Sequence, residues 1–284
     1  MGYTIQELNI NKEKRAEYIM NDLKNKWRWL EKNTNHTIIY MALQGSQTYH
    51  MDVYSEEYMS DIDVKAICIP SLEDVIRGNK MVSTTYVMYD NSHIDVKDIR
   101  LCVDLWKKSN QQFLEILFSE FYICNNFQFN RILSMADRIA FANKDRLLSC
   151  IKGMQMEKYT KLKHISESTK DEIEKYGYSR KQLHHICRLL VFAIDIYVGG
   201  KSFREALVPE EPSKSLCLEL KTKPMSVEEA DVVARSYTEQ LSALTKSYRE
   251  IVGIHEPDEE CYEIVDEIIY DIIYKEIEDK ILYK

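Results

Sequence analysis

Apolar side chains recur at helical spacing through Leu8, Ile10, Tyr18, Leu23, Trp27 and Leu30, which predicts an amphipathic opening helix over about residues 5–32. The period then changes to that of strands. Four short tracts rich in β-branched and aromatic residues, 37–43, 62–69, 81–89 and 93–99, are separated by turn-forming or briefly helical stretches such as Pro70-Ser71-Leu72-Glu73. The turn Asp90-Asn91-Ser92 predicts that the last two strands form an antiparallel hairpin. From Asp98 onward the pattern is helical, over about 98–109, 111–119, 127–138, 143–175, 179–199, 226–252 and 258–282, with Pro209, Pro212 and Pro224 as punctuation. The final helix carries Val265, Ile268, Ile269, Ile272, Ile273 and Ile277 on one face, suited to packing within the chain or to a homodimer. The expected fold class is α+β: a small mixed β-sheet with flanking helices over residues 1–140, then an all-helical C-terminal domain over 141–284.

Composition narrows the candidate roles. With 38 basic and 46 acidic side chains the 284-residue chain carries a formal charge of −8, which argues against a broad basic surface for gripping nucleic acid and leaves room for a local basic cleft. No apolar run approaches the roughly 20 residues that span a bilayer, and Met1-Gly2-Tyr3-Thr4 begins no signal-peptide pattern. A soluble, cytoplasmic protein without membrane contact is expected. The cysteines at 68, 102, 124, 150, 187, 217 and 261 are scattered and form no C-x-x-C pair, so they read as reduced, mostly buried thiols.

The chemistry-bearing candidates cluster early in the chain. The apolar run 37–43 leads into Gln44-Gly45-Ser46-Gln47-Thr48-Tyr49, a step from buried strand to turn whose backbone N–H groups suit a phosphate. Beyond a loop of about a dozen residues comes Asp61-Ile62-Asp63-Val64, in which alternation puts both carboxylates on one strand face and the aliphatic side chains on the other. Asp95, flanked by apolar residues on the second hairpin strand, is a third carboxylate; Asp98 competes for that place but reads as the cap of the next helix. Three such carboxylates would hold two Mg²⁺ ions, or Mn²⁺, and leave coordination positions for substrate phosphates. Each piece alone has an ordinary explanation, since edge strands often carry acidic faces and Gly-Ser turns are common. Their joint order is what points to phosphoryl chemistry.

This order resembles the DNA polymerase β-like nucleotidyltransferase superfamily, whose pattern is an apolar-Gly-Ser loop, Asp-x-Asp, and a third carboxylate on a later strand. The stretch from Asp98 through Asn110 to Leu114-Glu115-Ile116-Leu117-Phe118, and the later segment from Tyr178 through Lys181, His185 and Arg188 to Gly199-Gly200, are similar to predicted nucleotidyltransferases of bacteria and phages. The chain departs from them at His50, where many relatives have Gly. The resemblance covers about residues 37–235. It implies an NTP substrate, Gly45 and Ser46 on its phosphates, and Asp61, Asp63 and Asp95 as catalytic and metal-binding residues. It further implies Lys181, His185 and Arg188 as nucleotide-binding residues from the helical domain; without it they read as a solvated face. The acceptor stays open between a tRNA or other RNA end, a small molecule and a protein hydroxyl. A toxin-like enzyme and a degenerate, non-catalytic nucleotide-binding module are the rival readings.

Overall fold

The computed structural model describes residues 4–55, 59–166 and 169–282. The chain divides into two compact units, Met1–Ala142 with Asp258–Lys284, and Asn143–Pro257.

In the first unit, α1 (Ile5–Ile10) and α2 (Lys12–Asn33) replace the single expected opening helix, because the Asn11 side chain accepts from Lys14 N and restarts the helix there. The strands β1 (Thr37–Gln44), β2 (Asp63–Ile69), β3 (Ser83–Val87), β4 (His93–Asp98) and β5 (Tyr122–Cys124) form one sheet in the order β3-β4-β2-β1-β5. Among the described residues only β2 and β4 run parallel; α3 (Leu72–Arg77) and β3 lie on the crossover between them. Asn91, at a φ of 64°, and the Asp90 carboxylate, which accepts from Ser92 N at 3.0 Å, close the β3–β4 hairpin at the expected turn.

One face of the sheet is covered by α2. Its Ile19, Leu23, Trp27 and Leu30 pack with Met41, Leu43, Ile62, Val64, Ala66, Ile94 and Val96, each full burial contributing about 1.5–3 kcal/mol. The other face of β1 meets the segment after β4: the Tyr40 hydroxyl donates to Ile116 O at 2.5 Å and its ring lies against Phe129. That segment comprises α4 (Ile99–Lys107), α5 (Gln111–Glu115) with a 3₁₀ turn at Ile116–Phe118, α6 (Phe129–Ser134) and α7 (Ala136–Phe141).

The second unit holds α8 (Lys144–Lys161), α9 (Lys170–Tyr176), α10 (Arg180–Tyr197), α11 (Phe203–Leu207), α12 (Ser213–Thr222) and α13 (Val227–Val252). α10 packs against α8, α12 and α13, and is buried along most of its length. The expected helix over 143–175 is therefore two, and the proline-punctuated tract holds two short helices that periodicity misses. α14 (Glu259–Leu282) differs from the expected 141–284 partition, since it packs on α4, α6 and α7 of the first unit. Its Val265, Ile268, Ile269 and Ile272 are buried, and Lys107–Asp266 and Arg138–Asp258 pair at 2.7 Å beside it. Among the described residues no helix is long and apolar enough to cross a membrane, and all seven cysteines are free.

His184 shows how tightly α10 is enclosed. Its ring is buried and its Nδ1–H donates to Cys217 O at 2.8 Å. Burial, with Lys221, Arg188 and Lys181 nearby and only the carbonyl opposing, pushes its pKa down to about 3. An unfolded histidine titrates near 6.5, so this contribution to stability is complete above that pH and is lost as pH falls toward 3. Between pH 7.5 and 5.0 the loss is about 2 kcal/mol. His184→Gln should flatten the pH dependence of urea unfolding by about that much; an unchanged slope would show that the imidazole is not excluded from protons.

Candidate functional site

β1 ends at Gln44 and the backbone turns at Gly45, whose φ of 103° is open to glycine and strained for any L side chain. A Cβ placed there would meet only Gln47 Oε1, at 3.9 Å, so the protein packs little against that side of the loop. The turn is closed by Thr48 N to Gly45 O at 3.0 Å and by Met51 N to Ser46 O at 2.9 Å. His50 also has positive φ, 54°, which accounts for glycine being suited to this position.

Side chains remote in sequence tie this loop down. The buried Gln47 amide donates to Ser60 O at 3.2 Å and Asp61 O at 2.8 Å, joining the Gly-Ser turn to the start of the Asp-x-Asp segment. Tyr49 donates its hydroxyl to the buried Glu115 carboxylate, which also accepts from Gln111 Nε2 at 2.8 Å. From the opposite direction Lys26, buried on α2, donates to Ile62 O at 2.6 Å and pairs with Asp22. Sequence reasoning misses Lys26 and gives Gln47 and Glu115 no role of their own, though both stand in its motifs. Lys26 leaves a readable signal: it is a cation in the apolar stripe of Leu23, Trp27 and Leu30, and a charge there needs a buried partner.

Asp61, Ile62 and Asp63 are exposed, buried and half-buried in turn, extending the alternation of β2 beyond its first ladder residue. Asp63 Oδ1 accepts from His93 N at 2.8 Å. On the parallel pair of β2 and β4, Lys65 stands opposite Asp95, so Asp63, Lys65 and Asp95 share one face while Val64, Ala66, Ile94 and Val96 enter the core. Asp95 is paired on both oxygens, Oδ2 with Lys65 Nζ at 2.7 Å and Oδ1 with Lys97 Nζ at 3.0 Å. Burial works to raise the Asp95 pKa, but the two ammonium groups outweigh it and hold the carboxyl below its usual range. Asp98 lies on the core side, where it caps α4 through Arg100 N at 2.9 Å and pairs with the Arg100 guanidinium at 2.7 Å.

Asp61 and Asp63 supply the oxygen donors that a hard divalent cation takes, beside a loop with room for phosphate. Oxygen donors of this kind suit a hard divalent ion. Asp95 fits less well, its oxygens being held by lysines, and among the described residues no group of three or more His, Cys, Asp or Glu side chains is arranged to hold a metal. Gly45, Ser46, Asp61, Asp63 and Asp95 thus belong to the first unit, whereas Lys181, His185 and Arg188 lie on α10 of the second. Lys181 is exposed, Arg188 is buried, and His185 is held neutral chiefly by burial. Lys158 on α8 has its pKa lowered by burial, against Glu157, and further by the like charges of Lys161, Lys181 and Arg188.

None of the curated proteins matches the chain. Among solved structures it is similar to a nucleotidyltransferase-like protein from Exiguobacterium sibiricum, with 12% identity and a TM-score of 0.32 over 88% of this chain and 76% of that one. The sequence pattern of one family matches residues 19–271, which include the Gly-Ser loop, the three aspartates and α10. The chain belongs to RlaP, the RNA repair pathway DNA polymerase beta family, and is a polymerase β-like nucleotidyltransferase in type.

Proposed function

We propose that this chain moves a nucleotidyl group from an NTP to a hydroxyl at an RNA end and releases pyrophosphate, with Mg²⁺ as the required ion. The observation that carries the reading is the bridge from Gln47 to the Ser60 and Asp61 carbonyls, which ties the Gly45-Ser46 turn to the start of the Asp-x-Asp segment. The family description, with its RNA repair pathway, favours an RNA end over a small molecule or a protein side chain. Free cysteines and dependence on an NTP suit a cytoplasmic setting.

In the proposed reaction the backbone around Gly45 and Ser46 binds the terminal phosphates, and Asp61 and Asp63 hold the divalent ion with the triphosphate. The ion, when bound, supplies charge neutralisation on the phosphate oxygens. The acceptor oxygen attacks the α-phosphorus, and the bond from that phosphorus to the α–β bridging oxygen breaks. Both electrons of that bond leave with pyrophosphate. Asp95, made weakly basic by its lysines, accepts a hydrogen bond from the attacking hydroxyl and orients it; the proton passes to water. Lys181, His185 and Arg188 on α10 are proposed, from the family resemblance, as nucleotide-binding residues, Lys181 and Arg188 as cations and His185 as a neutral hydrogen-bond donor.

Incubation with each α-³²P-labelled NTP, Mg²⁺ and total RNA tests the reading. Label should pass to RNA with the intact protein and be lost at least 100-fold in Asp61→Ala or Asp63→Ala, with unchanged thermal unfolding. Label on protein or small molecules would move the acceptor; retention of transfer in both variants would remove the aspartates from the chemistry. Gln47→Leu should weaken NTP binding about tenfold in calorimetry, as expected for a lost net hydrogen bond of about 1–1.5 kcal/mol that orders the loop. Unaltered affinity would show that the loop holds its shape without the bridge.

A further inference from the structure

We infer that the cation facing Asp95 is the Lys65 ammonium, so that the site takes one divalent ion, through Asp61 and Asp63, and has no second on Asp95. This rests on the nucleotidyltransferase reading above and departs from the sequence expectation of two ions shared by three carboxylates.

Three observations carry it. Both Asp95 oxygens are engaged, by Lys65 at 2.7 Å and Lys97 at 3.0 Å, so an ion ligated there would lie against two positive charges. Lys65 is only 4% exposed and its Nζ stands 4.4 Å above the centre of the Phe113 ring. Moving that ammonium away would strip a mostly buried carboxylate and forfeit the ring contact together. The strand register agrees. Lys65 is the residue directly opposite Asp95, while Asp63 is two residues earlier on β2, about 6.6 Å along the strand. The lysine therefore occupies the step of the face through which Asp63 and Asp95 would share an ion.

Lys97 completes the clamp: its Nζ also donates to Ser83 Oγ at 2.8 Å, which ties it to β3. Lys65 is on this account a positioning residue. From its buried place against the Phe113 ring it fixes the direction of the Asp95 carboxylate, which is thus set for the acceptor hydroxyl.

Metal counting decides the matter without relying on turnover. The protein is equilibrated by dialysis with Mn²⁺ and each α,β-methylene NTP analogue in turn, and the metal retained per chain is measured with the analogue that binds. One Mn²⁺ is expected, absent in Asp63→Ala and unchanged within twofold in affinity in Asp95→Asn. Lys65→Met, which frees one Asp95 oxygen, should raise the count toward two. Two ions in the intact protein with one lost in Asp95→Asn, or a count still at one in a folded Lys65→Met, would overturn the inference. Failure of all four analogues and Mn²⁺ to bind would instead overturn the nucleotidyltransferase reading beneath it.

Discussion

The backbone between Ser60 and Asp63 is held by side chains that come from elsewhere in the chain. The Gln47 amide donates to the carbonyls of Ser60 and Asp61, and the Lys26 ammonium donates to that of Ile62. An irregular segment just before a strand has no ladder to satisfy its carbonyls, and a buried donor left without them costs about 1–3 kcal/mol. The bonds are thus mutually required: the loop orders the aspartates, and the aspartates' backbone orders the loop. The sheet and α2 are built around this junction, since the same α2 stripe that fills the core also carries Lys26.

The sheet divides its chemistry by face. Alternation along β2 and β4 sends Val64, Ala66, Ile94 and Val96 into the core and puts Asp63, Lys65 and Asp95 on the other side. Charge on that face is balanced within the protein, because Asp95 has two lysines and its pKa is lowered. Asp61 is exposed, and the Asp63 side chain, 39% exposed, takes its contacts from His93, with Oδ1 accepting from His93 N at 2.8 Å and lying 3.2 Å from His93 Nδ1. The asymmetry among three aspartates of similar sequence context separates the two proposed to hold metal from the one proposed to meet the acceptor.

Much of this is legible in sequence where a local rule governs. Strands β1 to β4 and the hairpin at Asn91 follow from period-two alternation and turn chemistry, and Asp98 reads as a cap because a helical pattern starts behind it. Gly45 is legible because no other residue accepts its φ without strain. Long-range demands are not legible. β5 has only three residues and owes its place to pairing with Tyr40, Met41 and Ala42. The return of α14 to the first unit depends on which apolar surface is left uncovered, and a periodic stripe does not record its partner. That Lys65 shares the Asp63 face, as a weaker phosphate candidate, follows from alternation, but its pairing with Asp95 depends on the parallel register.

The central claim is that the Gly45-Ser46 turn and the Asp61, Asp63 pair are one site. A crystal structure with an α,β-methylene NTP and Mn²⁺ tests it most directly, the ion being located by its anomalous scattering. The account predicts terminal phosphates on the backbone of Gly45 and Ser46, with manganese bound by Asp61 and Asp63. A nucleotide bound away from the turn, or manganese on other carboxylates, would contradict it.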